Sequence, residues 1–305
     1  MFTRLRKKLS RDRFYRLTRG ILDTPPMPVQ DAGWNIVSMV SNDDVPMYLL
    51  AMKSFYARIR RGKLTVIVDR DMPNELRGLL QRHFPGIQFV ILEDIDTGIC
   101  QRGGTWERLV YLLDLTENEY AIQVDCDTLT FGGDIDEVIA CAQNNIAFTL
   151  SNVAKPIKSM VEASKDAYQI DSDYIGIRAE RLFSKYPNAE TTKYVRGSSG
   201  FAGFAKGAFP RQKIEEFHRN MESLVGVEAW KGWGTEQCAS NFAVANSPGA
   251  ITLPHPKYET YWPGFDKPNT FLHFIGSHRY DNDYFADRGR DVIRELNASK
   301  ASRVA

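Results

Sequence analysis

The chain has 305 residues, of which 43% are hydrophobic and 25% are charged, and its formal net charge is +1. This composition is that of an ordinary soluble globular protein, and it excludes a chain that needs disulfide bonds or low-complexity repeats for its structure. No apolar run approaches the roughly 18 to 20 residues of a membrane span, and the four cysteines have neither C-x-x-C nor zinc-type spacing, so we expect a reduced, cytoplasmic protein.

The first twenty residues are strongly basic. They contain eight Lys and Arg residues and one Asp, a net charge of +7, which leaves −6 for the rest of a chain whose total is +1. Such a segment predicts a helix on an anionic membrane surface at the inner face of the membrane, or alternatively a solvated basic helix or mobile tail. The acidic remainder argues against nucleic acid as a partner. Apolar residues recur among the charges at spacings of three to five, namely Phe2, Leu5, Leu9, Phe14, Leu17 and Ile21.

A proline-rich segment, residues 23–28, follows the basic start. It predicts a linker, because proline removes backbone donors and fixes an extended path. We therefore expect a basic extension and linker over residues 1–30, one domain over residues 31–296 and a tail over residues 297–305.

Apolar strand-like runs alternate with helical patterns in the first half of the chain. We predict strands over residues 35–40, 64–68, 87–92, 120–124 and 146–150, and helices over 45–59, 73–84, 105–115 and 134–142. This rhythm predicts an α/β fold with a doubly wound, mixed but mostly parallel sheet. The second half is less regular, and residues 151–193 have no clear period. It contains a glycine-rich strand over 195–204, helices over 210–224, 236–245 and 285–296, and short strands over 250–253 and 270–275.

The predicted fourth strand runs into two carboxylates, Asp125 and Asp127. If the strand persists to Asp127, both side chains project from one side of its carboxyl end. Burying a charge is costly unless it is paired or bound to a metal, and paired carboxylates suit Mn²⁺ or Mg²⁺ shared with a phosphate. The alternative is an ordinary strand-to-loop turn, in which Asp is common.

Other polar residues fall at the same kind of position. Asn42 and Asp43 follow the first predicted strand, and Asp69 follows the second. Ligands of doubly wound sheets bind outside the carboxyl ends of the strands, which favours a functional role for the carboxylate pair. The chain has no G-x-x-x-x-G-K-[ST] and no G-x-G-x-x-G after the first strand, so neither an ordinary P-loop enzyme nor a Rossmann dehydrogenase is expected.

The stretch 120–142, YAIQVDCDTLTFGGDIDEVIACA, resembles the D-x-D segment of GT-A-fold glycosyltransferases, closest to the glycogenin and bacterial galactosyltransferase group, family 8. NIVSMVSNDDVPMYLLAMKSFY and LTVIVD resemble that group's nucleotide-binding first strand and helix and its second strand. TEQCASN resembles its D-Q-D-x-x-N, and HFIGSHR resembles its H-x-x-G-x-x-K. These ordered motifs span most of residues 35–280, and the resemblance implies a GT-A nucleotide-diphospho-sugar transferase fold.

The resemblance also implies site residues. Asp125 and Asp127, with His273, would hold Mn²⁺ or Mg²⁺, and Glu236 and Gln237 would line the donor sugar and act in catalysis. The residues implied to bind the nucleotide-sugar donor are Ser41, Asn42, Asp43, Asp69, Arg108, Asp125, Ser199, Gly200, Gly276 and Arg279. The chain departs from the family pattern in having Ser198-Ser199-Gly200 for Asn-Ala-Gly, Glu236 and Cys238 for two Asp residues, and Arg279 for Lys.

Each of these roles has a structural alternative. Arg108 could carry its charge on a solvated helix face, His273 could be a core histidine, and Gln237 could be an ordinary helix residue. His278 could replace His273 as a ligand. Five aromatic residues flank the C-terminal motifs and either stack on sugars or pack in the core, namely Trp230, Trp233, Tyr258, Tyr261 and Trp262.

The expected function is therefore metal-dependent transfer of a sugar from a nucleoside-diphosphate donor to a glycan or glycolipid acceptor. The resemblance implies a uridine nucleotide and retention at the anomeric carbon. One alternative is a sugar-1-phosphate nucleotidyltransferase, although its Gly-rich loop with Arg and Lys is missing after the first strand. Another is a catalytically silent carbohydrate-binding or scaffold protein on the same fold.

Overall fold

The computed structural model describes residues 2–151, 156–276 and 278–304, with side chains from residue 8 to residue 298 within those ranges. Ser277, in the HFIGSHR motif, lies outside the described residues, as do the side chains of Phe2 and Leu5. The chain divides into two compact units. The first consists of residues 1–91, 124–135 and 256–305, and the second of residues 92–123 and 136–255.

The helices and strands are numbered in chain order. The helices are α1 (Phe2–Thr18), α2 (Val45–Ile59), α3 (Asn74–His83), α4 (Trp106–Leu115), α5 (Asp136–Gln143), α6 (Met160–Tyr168), α7 (Ile175–Arg181), α8 (Arg211–Val225), α9 (Val227–Trp230), α10 (Thr235–Ala245) and α11 (Tyr284–Val304). The strands are β1 (Trp34–Met39), β2 (Lys63–Val68), β3 (Gln88–Ile91), β4 (Tyr120–Val124), β5 (Thr128–Thr130), β6 (Phe148–Ser151), β7 (Lys158–Ser159), β8 (Lys193–Tyr194), β9 (Gly197–Phe204), β10 (Ile251–Thr252), β11 (Tyr258–Thr260) and β12 (Phe271–His273).

In the first unit, strands β1, β2 and β3 pair in parallel, with Val37 opposite Thr65 and Val66 opposite Phe89. β1 and β2 are almost wholly buried, as expected for parallel strands covered on both faces. Parallel pairing brings the carboxyl ends of β1 and β2 to one edge, so the polar residues that follow these strands lie at that edge. A smaller sheet pairs β11 with β12 in parallel and β12 with β5 antiparallel.

Helix α2 covers this core. Proline in its first turn suits the helix start. Arg60, the residue after the helix, has a left-handed φ of 63°, and its N–H donates to Tyr56 O at 2.8 Å. Lys53 on this helix is fully buried. Its Nζ donates to Thr24 Oγ1 at 2.9 Å and to Pro25 O at 2.5 Å, which anchors the proline-rich segment to α2.

The basic N-terminal segment forms helix α1, which packs against α11. Phe14 is buried, and its ring lies 4.5 Å from that of Phe285. Phe14 and Ile21 are both buried in this conformation, so they are not available to insert into a membrane, whereas Leu9 is 61% exposed. Helix α11 continues to Val304, through residues predicted as a tail, because residues 297–304 contain neither Gly nor Pro.

In the second unit, the strand order is β10-β6-β9-β4. β10 and β6 pair in parallel, and β6 and β9 pair antiparallel. The glycine-rich β9 is buried along its whole length. Gly203 explains part of that composition, because a Cβ there would collide with the ring of Phe148 and the hydroxyl of Tyr120.

The predicted α/β class with a mixed sheet is confirmed, and most predicted elements lie within two residues of those observed. Residues 151–193 were expected to be irregular, but they contain α6 and α7. Helix α6 begins with a capping box between Ser159 and Glu162. Both helices are short, so their apolar period is too brief to be detected in sequence. Two compact units can belong to one domain, and the single-domain boundary at 31–296 stays a prediction.

Candidate metal centre and a second polar cluster

Three side chains in the first unit converge on one point. Asp125 directly follows β4, Asp127 directly precedes β5, and His273 ends β12. The antiparallel pairing of β12 with β5 places His273 opposite Thr128 and therefore beside Asp127. His273 Nε2 lies 3.2 Å from Asp127 Oδ1 and 4.0 Å from Asp125 Oδ2. One ligand atom from each residue lies within 4.8 Å of the other two.

The two carboxylates converge through a turn. β4 ends at Val124, so the strand does not persist to Asp127 as the sequence analysis supposed. Thr128 Oγ1 donates to Asp125 O at 2.9 Å, and the backbone N–H of Phe274 donates to Asp127 O at 2.8 Å. The first bond closes the turn, and the second joins it to the end of β12, so the carboxylates converge by turn geometry and not by strand alternation.

His273, and not His278, belongs to this centre. His278 Nδ1 lies 2.7 Å from Asp281 Oδ2, and its ring packs 5.0 Å from that of Trp262. His273 is buried in a strand, as a core histidine would be, yet its ring faces two carboxylates. The structure therefore brings together the three residues that the motif resemblance implied as ligands.

Arg279 completes the charge pattern. Its Nη2 forms an ion pair with Asp127 Oδ2, and its Nε donates to Phe274 O at 3.3 Å. Burial by itself raises the pKa of Asp127, but the nearby His273 and Arg279 outweigh it and hold that pKa well below its usual range. Burial lowers the pKa of His273, whereas Asp127 and Asp125 raise it, with a net rise. Asp127 is therefore ionised at neutral pH.

The donor set fits a hard or borderline divalent cation. Carboxylate oxygens are the usual ligands of Mg²⁺ and Mn²⁺, and an imidazole nitrogen suits Mn²⁺ among these. Asp127 and His273 are buried, and the Asp125 side chain is 23% exposed. A buried, ionised carboxylate such as Asp127 attracts a cation strongly, because water screens its charge poorly.

The remaining donor-binding residues predicted in the first unit lie in loops, most of them directly after β1 and β2. Ser41 Oγ donates to Asp44 Oδ2 at 2.8 Å, and Asp43, 76% exposed, pairs with Arg11 Nη1 of α1 at 3.3 Å. Asn42 Oδ1 is buried and has no hydrogen-bond partner among the described residues. Asp69 follows β2 and is half-buried, and Gly276 is exposed.

The second unit holds a different cluster, built around Glu236 at the start of α10. Glu236 and Arg108 are both buried, with Arg108 Nη2 3.7 Å from Glu236 Oε1. Ser199 Oγ donates to Glu236 Oε2 at 2.9 Å, and Thr105 Oγ1 lies 3.0 Å from the same oxygen. Arg108 is therefore not on a solvated helix face. Gln237 is half-buried on α10, and Gly200 is buried in β9.

Thr105 is a member of this cluster that no sequence motif indicated. It makes no capping bond to α4, and its φ is +71°. A β-branched residue in the left-handed region is strained, at about 1 to 3 kcal/mol, and such strain is concentrated at functional sites. No local sequence signal could have revealed it, because the residue that its hydroxyl meets, Glu236, is 131 positions away.

The flanking aromatic residues divide into two groups. Trp230, Tyr258 and Tyr261 are buried and pack in the cores of their units. Trp233 is 72% exposed and Trp262 is 42% exposed. Core packing is therefore confirmed for the first three only.

No protein-family model matches the chain, and no curated protein matches it in sequence. Among solved structures, the chain is similar to the galactosyltransferase LgtC in complex with donor and acceptor sugar analogs, with 12% identity and a TM-score of 0.48 over 86% of this chain and 96% of that one. It is also similar to the glycosyltransferase GlyE of Streptococcus pneumoniae, with 13% identity and a TM-score of 0.48 over 87% and 64% of the two chains. A third is core-mannan synthase A of Aspergillus fumigatus in its Mn/GDP form, with 12% identity and a TM-score of 0.44 over 87% and 85%. At these values the likeness identifies neither a family nor a substrate for this chain.

Proposed function

We propose that the chain is a metal-dependent glycosyltransferase of the GT-A type, resembling family 8, that moves a sugar from a nucleoside-diphosphate donor to a glycan or glycolipid acceptor. The convergence of Asp125, Asp127 and His273 on one point, with Arg279 beside them, carries this proposal. Paired carboxylates and a guanidinium at one place suit a diphosphate shared between a divalent cation and a fixed positive charge.

The first unit would bind the nucleoside diphosphate. When bound, Mn²⁺ or Mg²⁺ acts as a Lewis acid that stabilises the charge developing on the departing diphosphate. Asp125, Asp127 and His273 would hold that cation, and Arg279 would place a further positive charge against the same phosphates. Asn42 Oδ1, buried without a partner among the described residues, is an acceptor suited to a ring N–H such as that of uracil.

The motif resemblance implies that a further set of residues contacts the donor sugar. Glu236 and Gln237 would contact the sugar, with Arg108, Ser199 and Gly200 as further donor contacts. Glu236 is buried, ionisable and surrounded by hydroxyl groups, which is an arrangement able to exchange hydrogen bonds with sugar hydroxyls. The same resemblance supports transfer with retention at the anomeric carbon.

Isothermal titration with UDP, GDP and CDP, each with and without Mn²⁺, tests the proposal. We expect one nucleotide to bind only when Mn²⁺ is present and Asp127→Asn to abolish that binding while leaving the fold intact by circular dichroism. Asp71→Asn is the matched control, because it removes an exposed carboxylate of the same unit. If Asp127→Asn bound the nucleotide with Mn²⁺ as wild type does, the three converging residues would not be the metal site.

Two further measurements separate the proposal from its rivals. Hydrolysis of the matching nucleotide sugar is expected of a glycosyltransferase. Release of pyrophosphate from a nucleoside triphosphate and a sugar 1-phosphate would instead establish a nucleotidyltransferase. Metal-linked binding without either reaction would support a silent carbohydrate-binding protein.

Peripheral contact with an anionic membrane is part of the proposal, and helix α1 is the segment that would make it. Lys8, Arg16 and Arg19 are exposed on or next to this helix, and Leu9 is exposed beside them. Each basic residue near such a surface contributes about 1 kcal/mol. None of the described helices is long and apolar enough to cross a membrane.

Co-sedimentation with anionic vesicles tests this contact. We expect binding at low salt and release as salt rises, because salt screens the charges. Replacing Lys8, Arg16 and Arg19 together by Glu should abolish the binding. This variant is preferable to a truncation at residue 31, which would remove Phe14 and Thr24 from their packing and bonding partners. Equal sedimentation of the triple variant would exclude α1 as the contact.

A further inference from the structure

Asp127 has a partner for each of its oxygens within the first unit. Arg279 Nη2 pairs with Oδ2, and His273 Nε2 lies 3.2 Å from Oδ1. The Asp127 side chain is only 6% exposed and that of Arg279 is 21% exposed. A divalent cation that binds Asp127 must therefore enter a place where a guanidinium already neutralises the carboxylate.

We propose that Arg279 neutralises Asp127 in the metal-free protein and therefore competes with the divalent cation for this carboxylate. When a diphosphate binds, Arg279 and the divalent cation both bind the diphosphate, and the competition ends. This inference rests on the metal centre of the proposed function. It adds which positive group, Arg279 or the metal ion, neutralises Asp127 before and after a diphosphate binds.

Electrostatics gives the reason. A guanidinium and a divalent cation held at one carboxylate repel each other, and the repulsion is strong because these side chains are largely shielded from water. Arg279 therefore lowers the affinity for the metal while no other anion is present. A diphosphate supplies several negative charges, so both cations are then attracted to the same ligand.

The position of Arg279 makes this exchange possible. Its Nε is held by Phe274 O at 3.3 Å, and its guanidinium lies 5.8 Å from the centre of the Tyr280 ring. The side chain is thus tethered at the end of β12 while its Nη2 reaches Asp127. The planar guanidinium fork can bind a carboxylate and then a phosphate with similar geometry, which a Lys ammonium cannot do.

Arg279 therefore affects two ligands in opposite directions: it weakens binding of the metal and strengthens binding of the diphosphate. Because coupling between ligands is reciprocal, the metal and the diphosphate also strengthen each other's binding. Removing its charge should tighten binding of the metal alone and weaken binding of a diphosphate to the metal-loaded protein. A residue with a merely structural role would weaken both or neither.

The test compares wild type, Arg279→Gln and Arg279→Lys. Arg290→Gln is the matched control, since it removes an exposed arginine of the same unit that pairs with Asp287. The free Mn²⁺ signal in electron paramagnetic resonance gives the affinity for the metal alone. We expect Arg279→Gln to bind Mn²⁺ about tenfold more tightly than wild type, Arg290→Gln to match wild type, and Arg279→Lys to lie close to wild type because it keeps the charge.

The second measurement is calorimetric titration of the Mn²⁺-saturated proteins with inorganic pyrophosphate, a probe that needs no knowledge of the base or the sugar. Arg279→Gln should bind it about tenfold more weakly than wild type, with Arg290→Gln unchanged. Thermal melts provide a check on folding, and Mn²⁺ should raise the melting temperature of Arg279→Gln by more than that of wild type.

The outcomes distinguish this inference from the proposed function. If Asp127→Asn abolishes Mn²⁺ binding but Arg279→Gln binds Mn²⁺ no more tightly than wild type, the competition is wrong and the metal centre stands. If neither wild type nor Arg279→Gln binds Mn²⁺ better than Asp127→Asn, the metal centre itself is wrong and the inference falls with it. Tighter Mn²⁺ binding together with weaker pyrophosphate binding by Arg279→Gln supports both.

Discussion

The metal centre and the Glu236 cluster differ in their balance of charge. The metal centre of the first unit places two carboxylates, Asp125 and Asp127, around one guanidinium and one imidazole. The cluster of the second unit places one carboxylate, Glu236, beside one guanidinium and two hydroxyl groups. Among these named groups, the first set has two carboxylates for one guanidinium, whereas the second has one of each. Burial alone therefore does not indicate which cluster takes a cation.

This difference implies different consequences of mutation. A balanced, buried pair contributes to stability chiefly through the penalty for breaking it. A centre with two carboxylates side by side contributes chiefly to binding, because a cation relieves the repulsion between them. The predictions below test whether the Glu236 cluster contributes to stability and the metal centre to cation binding.

The largest expected effect concerns Glu236. Glu236→Gln removes the negative charge beside the buried Arg108, and losing one partner of a buried pair costs about 3 kcal/mol or more. Urea unfolding should show that loss, while Mn²⁺ affinity stays at the wild-type value. Glu228→Gln is the control, since that side chain is 86% exposed in its pair with Lys231 and should change stability by less than about 0.5 kcal/mol. If Glu236→Gln were as stable as wild type but had lost donor hydrolysis, the assignment of the second cluster to stability would be wrong. Glu236 would then have a functional role only.

The next effect concerns the choice between two histidines. His273→Ala should weaken Mn²⁺ binding about a hundredfold, equivalent to about 2.7 kcal/mol, because it removes one of three ligands. His278→Ala should leave the affinity unchanged, since His278 bonds Asp281. Titration of both variants with Mn²⁺ decides between them, and equal losses would show that the centre is not confined to the three converging residues.

The smallest effect is a loss of folding stability at low pH. Unfolding in acid would also abolish ligand binding, so its cause must be identified separately. Burial, together with the charges of Lys53 and Arg82, lowers the pKa of His83 from 6.5 to about 4. The folded state therefore favours neutral His83, so its contribution to stability is present above pH 6.5 and is lost as pH falls towards 4. We expect a loss of about 2 kcal/mol between pH 7 and pH 5. His83→Gln should flatten that part of the stability profile, and an unchanged slope would assign the acid sensitivity to other groups.

The elements of the first half of the chain could be predicted because their signals are local. Strands β1, β2 and β4 are short apolar runs, and α2 has a clear helical period. The two short helices of residues 151–193 were missed for the opposite reason, since each buries only a few apolar residues against the rest of its unit. Tertiary packing, and not propensity, stabilises helices of that length.

The candidate site was predictable only in part. The D-x-D motif and the two histidines of HFIGSHR could be singled out as residue types suited to a cation. The motif resemblance implied His273 as the ligand with His278 as an alternative, and the register between β5 and β12 places His273 beside Asp127. The left-handed conformation of Thr105, which brings its hydroxyl to Glu236, had no signal in the sequence.

The sequence by itself determined the alternation of strands and helices, the acidic pair at a strand end and the basic character of the N-terminus, because each depends on neighbours a few positions apart. Only the tertiary structure decided that Arg279 pairs with Asp127, 152 positions away in the chain. It also decided that Phe14 packs on Phe285 and is not exposed for membrane insertion. Contacts of this kind depend on how distant segments fold together, and the local pattern of side chains carries no information about that distance.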